Sequence, residues 1–337
     1  MQKVLLTGAT GRIGRRLARP LSAGGHDVTA LIRSRGALSP TARAEQEGLG
    51  ALRVVEGDLS GRLASVRGTE WDTIVHAGLD GSAFPRDARA QRRLNVDATL
   101  DLIETLRPRR FVLMSTVRVA GARRGVALES EFDVGQPFHN TGEECMLEVE
   151  VAARAAGARA GVEVLILRLG HVEGRGSDGG MDSLSAFVGL VASEAWNPRH
   201  WRSQLRVPGL KPAPMALTPA AWLGSAVAAL VGATGEGGGC LHLLAGPPTQ
   251  EAFFAAVADR ANLPGLRVQT PRRGALRNPT RLEARAHASL GLQMEHLSAD
   301  LAFDRAEAQR RLNMLGVTIP DLAGPALNSY VGALSRA

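Results

Sequence analysis

Tyrosine and lysine are almost missing from this chain of 337 residues, which has one tyrosine, Tyr330, and two lysines, Lys3 and Lys211. Any mechanism that needs a tyrosine–lysine pair within the first two hundred residues is therefore excluded. Cysteine is nearly as scarce. Cys145 and Cys240 stand far apart without metal-type spacing, which excludes a disulfide-stapled scaffold or a zinc module and predicts free thiols in a reducing cytoplasm. No apolar run reaches the roughly eighteen residues of a membrane span. The longest, residues 220–233, is rich in Ala and Gly and reads as a buried helix. No signal-peptide pattern opens the chain, because a strand-like stretch starts at Lys3. Aromatic residues make up 4%, so the core must be built from Ala, Val and Leu.

What is present is ordinary globular material, with 45% hydrophobic and 22% charged residues. At about 150 residues per domain the length fits one large domain or two. The net charge of +7 is nearly all arginine, a bias that reflects a GC-rich genome more than a binding surface. Arginines cluster at residues 12–19, 92–93, 107–110, 123–124 and 272–273 without the interleaved aromatics or the recognition helix that nucleic-acid binding requires. No nucleic-acid partner is expected. The clusters read as solvated faces, a minority of them as a dock for an anionic substrate or an acidic carrier protein.

Hydrophobic periodicity alternates strands and helices through the first half. Strands are predicted at residues 3–7, 28–33, 52–55, 73–77, 110–115 and 162–169. Between them lie a helix from about Arg12, kinked or ended by Pro20, one over residues 87–106, and a long one over residues 141–160. This spacing implies βαβ units, a doubly wound parallel sheet of Rossmann type and an α/β fold. After Gly170 the pattern loosens. Residues 208–219 hold four prolines and cannot form regular helix. A helix at residues 220–231 and a strand at 240–244 return to the sheet, and residues 249–337 read as helical with Pro and Gly breaks. The expected division is a nucleotide-binding domain of residues 1–170 plus about 216–246, and a smaller substrate lobe of about 171–215 and 247–337.

Thr7-Gly8-Ala9-Thr10-Gly11-Arg12-Ile13-Gly14 joins the first strand to the first helix. In that context the glycines permit a tight turn and the approach of a pyrophosphate to amides at a helix N-terminus. An acidic residue about twenty positions on would bind the adenosine ribose of NAD. Arg33-Ser34-Arg35 stands there instead. A guanidinium suits a 2′-phosphate, with Arg12 assisting, so NADP is expected and NAD is the alternative.

These motifs together resemble the extended short-chain dehydrogenase/reductases, the NAD-dependent epimerase/dehydratase family. Besides the glycine loop, the resemblance rests on Asp58-Leu59, His76-Ala77-Gly78, Asn95-Val96, Ser115-Thr116 with Val119-Ala120-Gly121, and Arg168-Leu-Gly-His-Val-Glu-Gly174. It covers about half the chain. The later pattern at residues 214–218, 241–244 and 316–320 is similar to the thioester-reductase branch. The resemblance implies that Gly8, Thr10, Gly11, Arg12, Ile13, Gly14 and Arg33 hold the cofactor together with Asn95. It also implies that Asp58 and Leu59 contact adenine, Ala77 and Gly78 the pyrophosphate–ribose side, and Gly170 and Val172 the nicotinamide end. It further implies a homodimer through the helices flanking the fifth strand.

The family's chemistry rests on a hydroxyl, a tyrosine and a lysine. Thr116 falls on the hydroxyl position. Alignment through Glu148 puts Asn140 on the tyrosine and Glu144 on the lysine, so the usual proton relay is absent. Two readings follow. In one, another group supplies the proton: His139 or His171, whose imidazoles titrate near neutrality, or Glu144 or Glu173 if burial raises their pKa. In the other, Thr141-Gly-Glu-Glu144 is a capping box that starts the long helix, and the site is silent. His139 and Glu143 have the i,i+4 spacing of a metal pair, but no third ligand is near in sequence and no metal is expected. The expected protein is an NAD(P)(H)-dependent oxidoreductase or epimerase-like enzyme. It would act on a small or carrier-bound carbonyl or hydroxyl compound. The alternative is a catalytically silent NADP-binding sensor or scaffold.

Overall fold

The computed structural model describes residues 1–32, 52–59, 63–174, 182–193, 204–233, 235, 237–271, 276–291 and 293–336. Seven strands form one parallel sheet: β1 (Lys3–Thr7), β2 (Asp27–Ile32), β3 (Arg53–Glu56), β4 (Thr73–His76), β5 (Arg110–Thr116), β7 (Glu163–Leu169) and β9 (Gly239–Leu243). Their order is β3-β2-β1-β4-β5-β7-β9. The chain steps outward from β1 on one side and, from β4 on, outward on the other, so the winding reverses between β1 and β4. Ligands of doubly wound sheets bind at the carboxyl ends of the strands beside such a reversal. These strands are almost unbroken apolar runs, as burial on both faces demands.

On one face pack α1 (Gly14–Ala23), α6 (Ala220–Gly232) and α10 (Ala306–Met314), through Leu17, Leu21, Leu223, Val227, Leu230 and Leu312. Pro20 does not end α1. The helix runs through it to Ala23, and the ring lies against Gly224, whose Cβ, were there one, would be 2.5 Å from Pro20 Cγ. On the other face pack α3 (Ala98–Leu106) and α4 (Thr141–Ala160), through Leu102, Ile103, Val149, Ala153 and Ala156. The helix expected over residues 87–106 is interrupted. It comprises α2 (Ala88–Arg92), a π turn at Arg93–Asp97, and α3.

A further apolar cluster unites α5 (Ser183–Ala192), α7 (Gln250–Arg260), α8 (Arg281–Leu290) and α11 (Gly324–Leu334), with Phe187, Phe253 and Phe254 fully buried. The expectation that the chain beyond residue 249 is helical between its breaks needs correction. Two short strands occur there, β10 (Leu266–Gln269) and β11 (Leu301–Phe303). They pair in parallel with β8 (Leu205–Pro208) and with β6 (Gly125–Ala127). Three- and four-residue strands carry too little period to show in the sequence. Among the described residues no helix is long and apolar enough to cross a membrane.

Candidate active site

The carboxyl ends of β1, β5 and β7 bring the predicted groups to one edge of the sheet. At β1, Gly8 has φ +68°, and a Cβ there would lie 2.4 Å from the Ala77 carbonyl oxygen. Only glycine fits so close to the β4 loop. The Gly11 N–H donates to the Gly8 carbonyl at 2.8 Å, closing the turn before α1. Ile13 packs on the core behind it, and Thr10 and Arg12 stay half-exposed. Leu59 reaches toward Gly78, where a Cβ would meet its Cδ1 at 2.8 Å, so the residues after β3 and β4 adjoin across the glycine loop; Asp58 directly precedes Leu59. This cradle fits a dinucleotide diphosphate: small residues where its backbone must approach, and a helix N-terminus beneath. Arg33, on which the NADP expectation rests, lies outside the described residues.

Asn95 sits fully buried in the π turn. Its Nδ2 donates to the Asp80 carbonyl at 2.8 Å, and its Oδ1 accepts from the Asp80 N–H at 2.8 Å. It thus holds the loop after β4, and acts on any ligand through that loop.

At β7, the Gly170 N–H donates to Thr218 Oγ1 at 2.9 Å, and Val172 is a core residue, 2% exposed. His171 is fully engaged. Nε2 faces Asp182 Oδ1 at 2.5 Å, Nδ1 faces the Tyr330 hydroxyl at 2.8 Å, and that hydroxyl donates to the His171 carbonyl at 2.8 Å. Burial would raise the Asp182 carboxyl, but the bond and charge of His171, with Ser185, hold it far below the usual range. With both nitrogens occupied, His171 is poorly placed to exchange a proton. Glu173 is occupied too, accepting from the Ala220 N–H with both oxygens at 3.0 Å. Arg12 reaches Asp182 at 3.4 Å, tying the glycine loop to the start of α5.

At β5, Thr116 caps the 3-10 turn Val117–Ala120. That turn is stitched to the segment before α4, because Gln136 Nε2 donates to the Val119 carbonyl at 2.8 Å and the Ala122 N–H to the Pro137 carbonyl at 2.8 Å. Three expectations about this segment are corrected. First, Asn140, not Thr141, caps α4, with Oδ1 accepting from the Glu143 N–H at 3.0 Å; its side chain is spent on the helix. Second, Glu144 is exposed and does not join the site. Third, the register through Glu148 does not match the buried face of the helix. Gly142, Met146 and Glu150 are buried at i, i+4 and i+8, whereas Glu148 pairs with Arg92 at the surface. Glu150 accepts from Arg168 Nη2 at 2.6 Å and from Ser115 Oγ at 2.5 Å. Counted from Glu150, the tyrosine and lysine positions fall on Gly142 and Met146. Neither carries a proton, and a Cβ on Gly142 would lie 2.3 Å from the Ser82 carbonyl oxygen.

The expectation that His139 and Glu143 lack a third partner also fails. His296, on α9 (Gln293–Leu297), closes the group. His139 Nδ1 lies 3.1 Å from Glu143 Oε2, which also accepts from the His139 N–H at 3.0 Å, and His296 Nε2 lies 2.9 Å from Glu143 Oε1. The rings meet edge-on, centroids 4.9 Å apart. Burial would raise the Glu143 carboxyl, but the bond and charge of His296 and the contacts of His139 hold it below the ordinary range. Burial pushes the His296 imidazole down, against its bond to Glu143. With an ionised Glu143 accepting from both rings, His139 Nε2 and His296 Nδ1 have no hydrogen-bond partner among the described residues. The three donor atoms lie within 4.8 Å of one another, a set that could also hold a metal ion. The charge of Arg118 acts on both Glu143 and His296 and disfavours a second cation there. His296, Asp182 and Tyr330 were not legible as site residues, because each reaches the edge through contacts outside its own element, whereas Arg118, two residues beyond Thr116 in the same turn, was overlooked.

Comparison with known proteins identifies the family and the fold. The model of the NAD dependent epimerase/dehydratase family matches residues 4–197. A dTDP-4-dehydro-6-deoxy-D-allose reductase from Streptomyces sp is 30% identical over 188 residues, which are 51% of this chain and 56% of that protein. The chain thus matches little more than half the length of this relative. Among solved structures, the terminal R domain of the myxalamid PKS-NRPS pathway has a TM-score of 0.75 at 21% identity, covering 100% of this chain and 91% of the domain. UDP-glucuronic acid 4-epimerase from Bacillus cereus, in complex with UDP-glucuronic acid and NAD, has a TM-score of 0.69 at 13% identity, covering 99% and 98%. These structures share the fold.

Proposed function

Since the chain belongs to the NAD dependent epimerase/dehydratase family of NAD-dependent enzymes, we propose that it is an NAD(P)(H)-dependent oxidoreductase or epimerase-like enzyme with a replaced catalytic set. Its substrate is a small or carrier-bound carbonyl or hydroxyl compound, held between the sheet edge and the lobe formed by α5, α7, α8 and α11. The bound cofactor supplies or accepts hydride. Thr116 orients the substrate oxygen. His139 exchanges the proton through Nε2, and Glu143 fixes its Nδ1–H in the manner of a carboxylate orienting a catalytic imidazole. His296 holds Glu143 from the other side. One observation carries this reading: Glu143 accepts from His139 and His296 beside the turn that Thr116 caps.

We further propose NADP over NAD, on the arginines at 33 and 35. Fluorescence titration with NADPH and NADH tests this: NADPH should bind the tighter, and Arg33→Ala should narrow the gap at least fivefold. His139→Gln should lower kcat on any reduced carbonyl compound by about 100-fold, the lower end for a lost general acid, with cofactor affinity kept.

A silent binder is favoured by one observation, that Gly142 and Met146 occupy the buried face where the family's phenol and ammonium belong. Cofactor binding without turnover on any of a wide panel of aldehydes, ketones and carrier thioesters would select that reading. No binding of either nucleotide would overturn both.

A further inference from the structure

Arg118 is a cation that this mechanism leaves unused. It lies two residues beyond Thr116 in the same 3-10 turn, and its N–H donates to Thr116 Oγ1 at 3.3 Å. The hydroxyl and the guanidinium are therefore set by one turn. Four charged or titratable groups interact electrostatically with Arg118: Arg12 from the glycine loop, Asp182 at the start of α5, Glu143 on α4 and His296 on α9. Burial pushes its pKa down.

A guanidinium stays charged and presents five N–H donors, and Arg118 is half-buried at the site edge. The fully buried arginines among the described residues are each answered by a carboxylate. Arg168 pairs with Glu150, Arg110 with Glu163 and Arg311 with Glu307. Around Arg118 the carboxylates are already committed. Glu143 serves the two histidines, and Asp182 serves His171, Arg12, two amides and the Ser185 hydroxyl. Among the described residues, no group accepts a hydrogen bond from the Arg118 side chain.

We propose that the missing acceptor is a compact oxyanion on the substrate, a carboxylate or a phosphate, which Arg118 grips beside the reacting carbonyl. The inference rests on the reading that Thr116 and His139 mark the reacting end. The planar fork of arginine fits such a group through two parallel bonds. The cofactor's own diphosphate is the less suitable partner, because its cradle lies at β1, two strands from β5, or about 10 Å across the sheet.

Calorimetry on the protein saturated with NADP tests the inference, with oxalate and inorganic phosphate as separate probes. One of them should bind the native protein at one site per chain, and which one binds tells carboxylate from phosphate. Arg118→Met should weaken that binding at least tenfold and Arg118→Lys by less, with the dissociation constant for NADP unchanged within twofold. The inference is overturned if neither anion binds, if Arg118→Met binds the anion as the native protein does, or if the loss appears in NADP binding instead. Should Arg118→Met not melt cooperatively, Arg118→Lys carries the comparison. Failure of NADP to bind sinks the enzyme reading alone, and the same oxalate and phosphate titrations on the unloaded protein then decide the role of Arg118.

Discussion

At the residue scale the site turns on which side chains are already committed. His171 and Glu173 have the chemistry expected of a proton carrier and Asn140 stands at the position expected of the tyrosine, yet each has its hydrogen-bonding capacity taken up by a helix cap or a buried partner. Sequence reading could weigh residue types but not their commitments. It singled out His139 as a candidate but not its neighbour His296, which is 153 positions from Glu143 and has no local signature. The consequence can be measured. Glu143→Gln keeps the shape of the side chain but removes the charge that holds two imidazoles, and the cost of unpairing buried polar groups exceeds that of a lost exposed bond. If the group works as a relay, kcat should fall at least tenfold while cofactor affinity stays put. An unchanged kcat would leave the cluster a structural device.

At the scale of elements, the strands and the glycine turn were legible because their signals are local. Unbroken apolar runs read as buried parallel strands, and glycine spacing between strand and helix reads as a nucleotide loop. The start of α4 was legible only to within one residue. Asn140 and Thr141 are both plausible N-caps, with Glu143 and Glu144 as the matching third-position partners, so residue type alone does not choose the cap. The structure selects Asn140 and buries Gly142, Met146 and Glu150 along the helix. Asn140→Ala should therefore lower the unfolding free energy by about 1 kcal/mol, the usual worth of such a cap, as read from urea denaturation. Thr141→Ala, which removes one exposed 3.3 Å bond to the Ala83 carbonyl, should cost clearly less. The reverse order would make Thr141 the working cap.

At the scale of the whole molecule, the sheet edge and the C-terminal cluster meet through contacts that no periodicity announces: Tyr330 against His171, His296 against Glu143, Asp304 against His242. The last of these also sets how the protein answers acid. Burial, against the bond to the Asp304 carbonyl, pushes the His242 imidazole down to about 4, with the Arg168 guanidinium nearby keeping it neutral. His76, wholly buried between Thr7 and Phe111, is pushed down to about 3. In the unfolded chain both take up a proton near pH 6.5. Between that pH and 4 the unfolded state binds more protons than the native one, so stability is complete above about 6.5 and drains away as the pH falls. For His242 alone the loss is on the order of 3 kcal/mol. Glu129, which accepts from the His242 N–H at 2.7 Å, works in the opposite sense. Burial raises its carboxyl, so the native state takes up a proton above the ordinary carboxylate range, inside the imidazole window, and offsets part of the fall. Urea unfolding at pH 7.5, 6.5, 5.5 and 4.5 should thus show a fall that begins near 6.5, and His242→Gln should flatten it while lowering stability at pH 7.5. An equally steep fall in the variant would place the acid sensitivity elsewhere than the joint between β9 and α10.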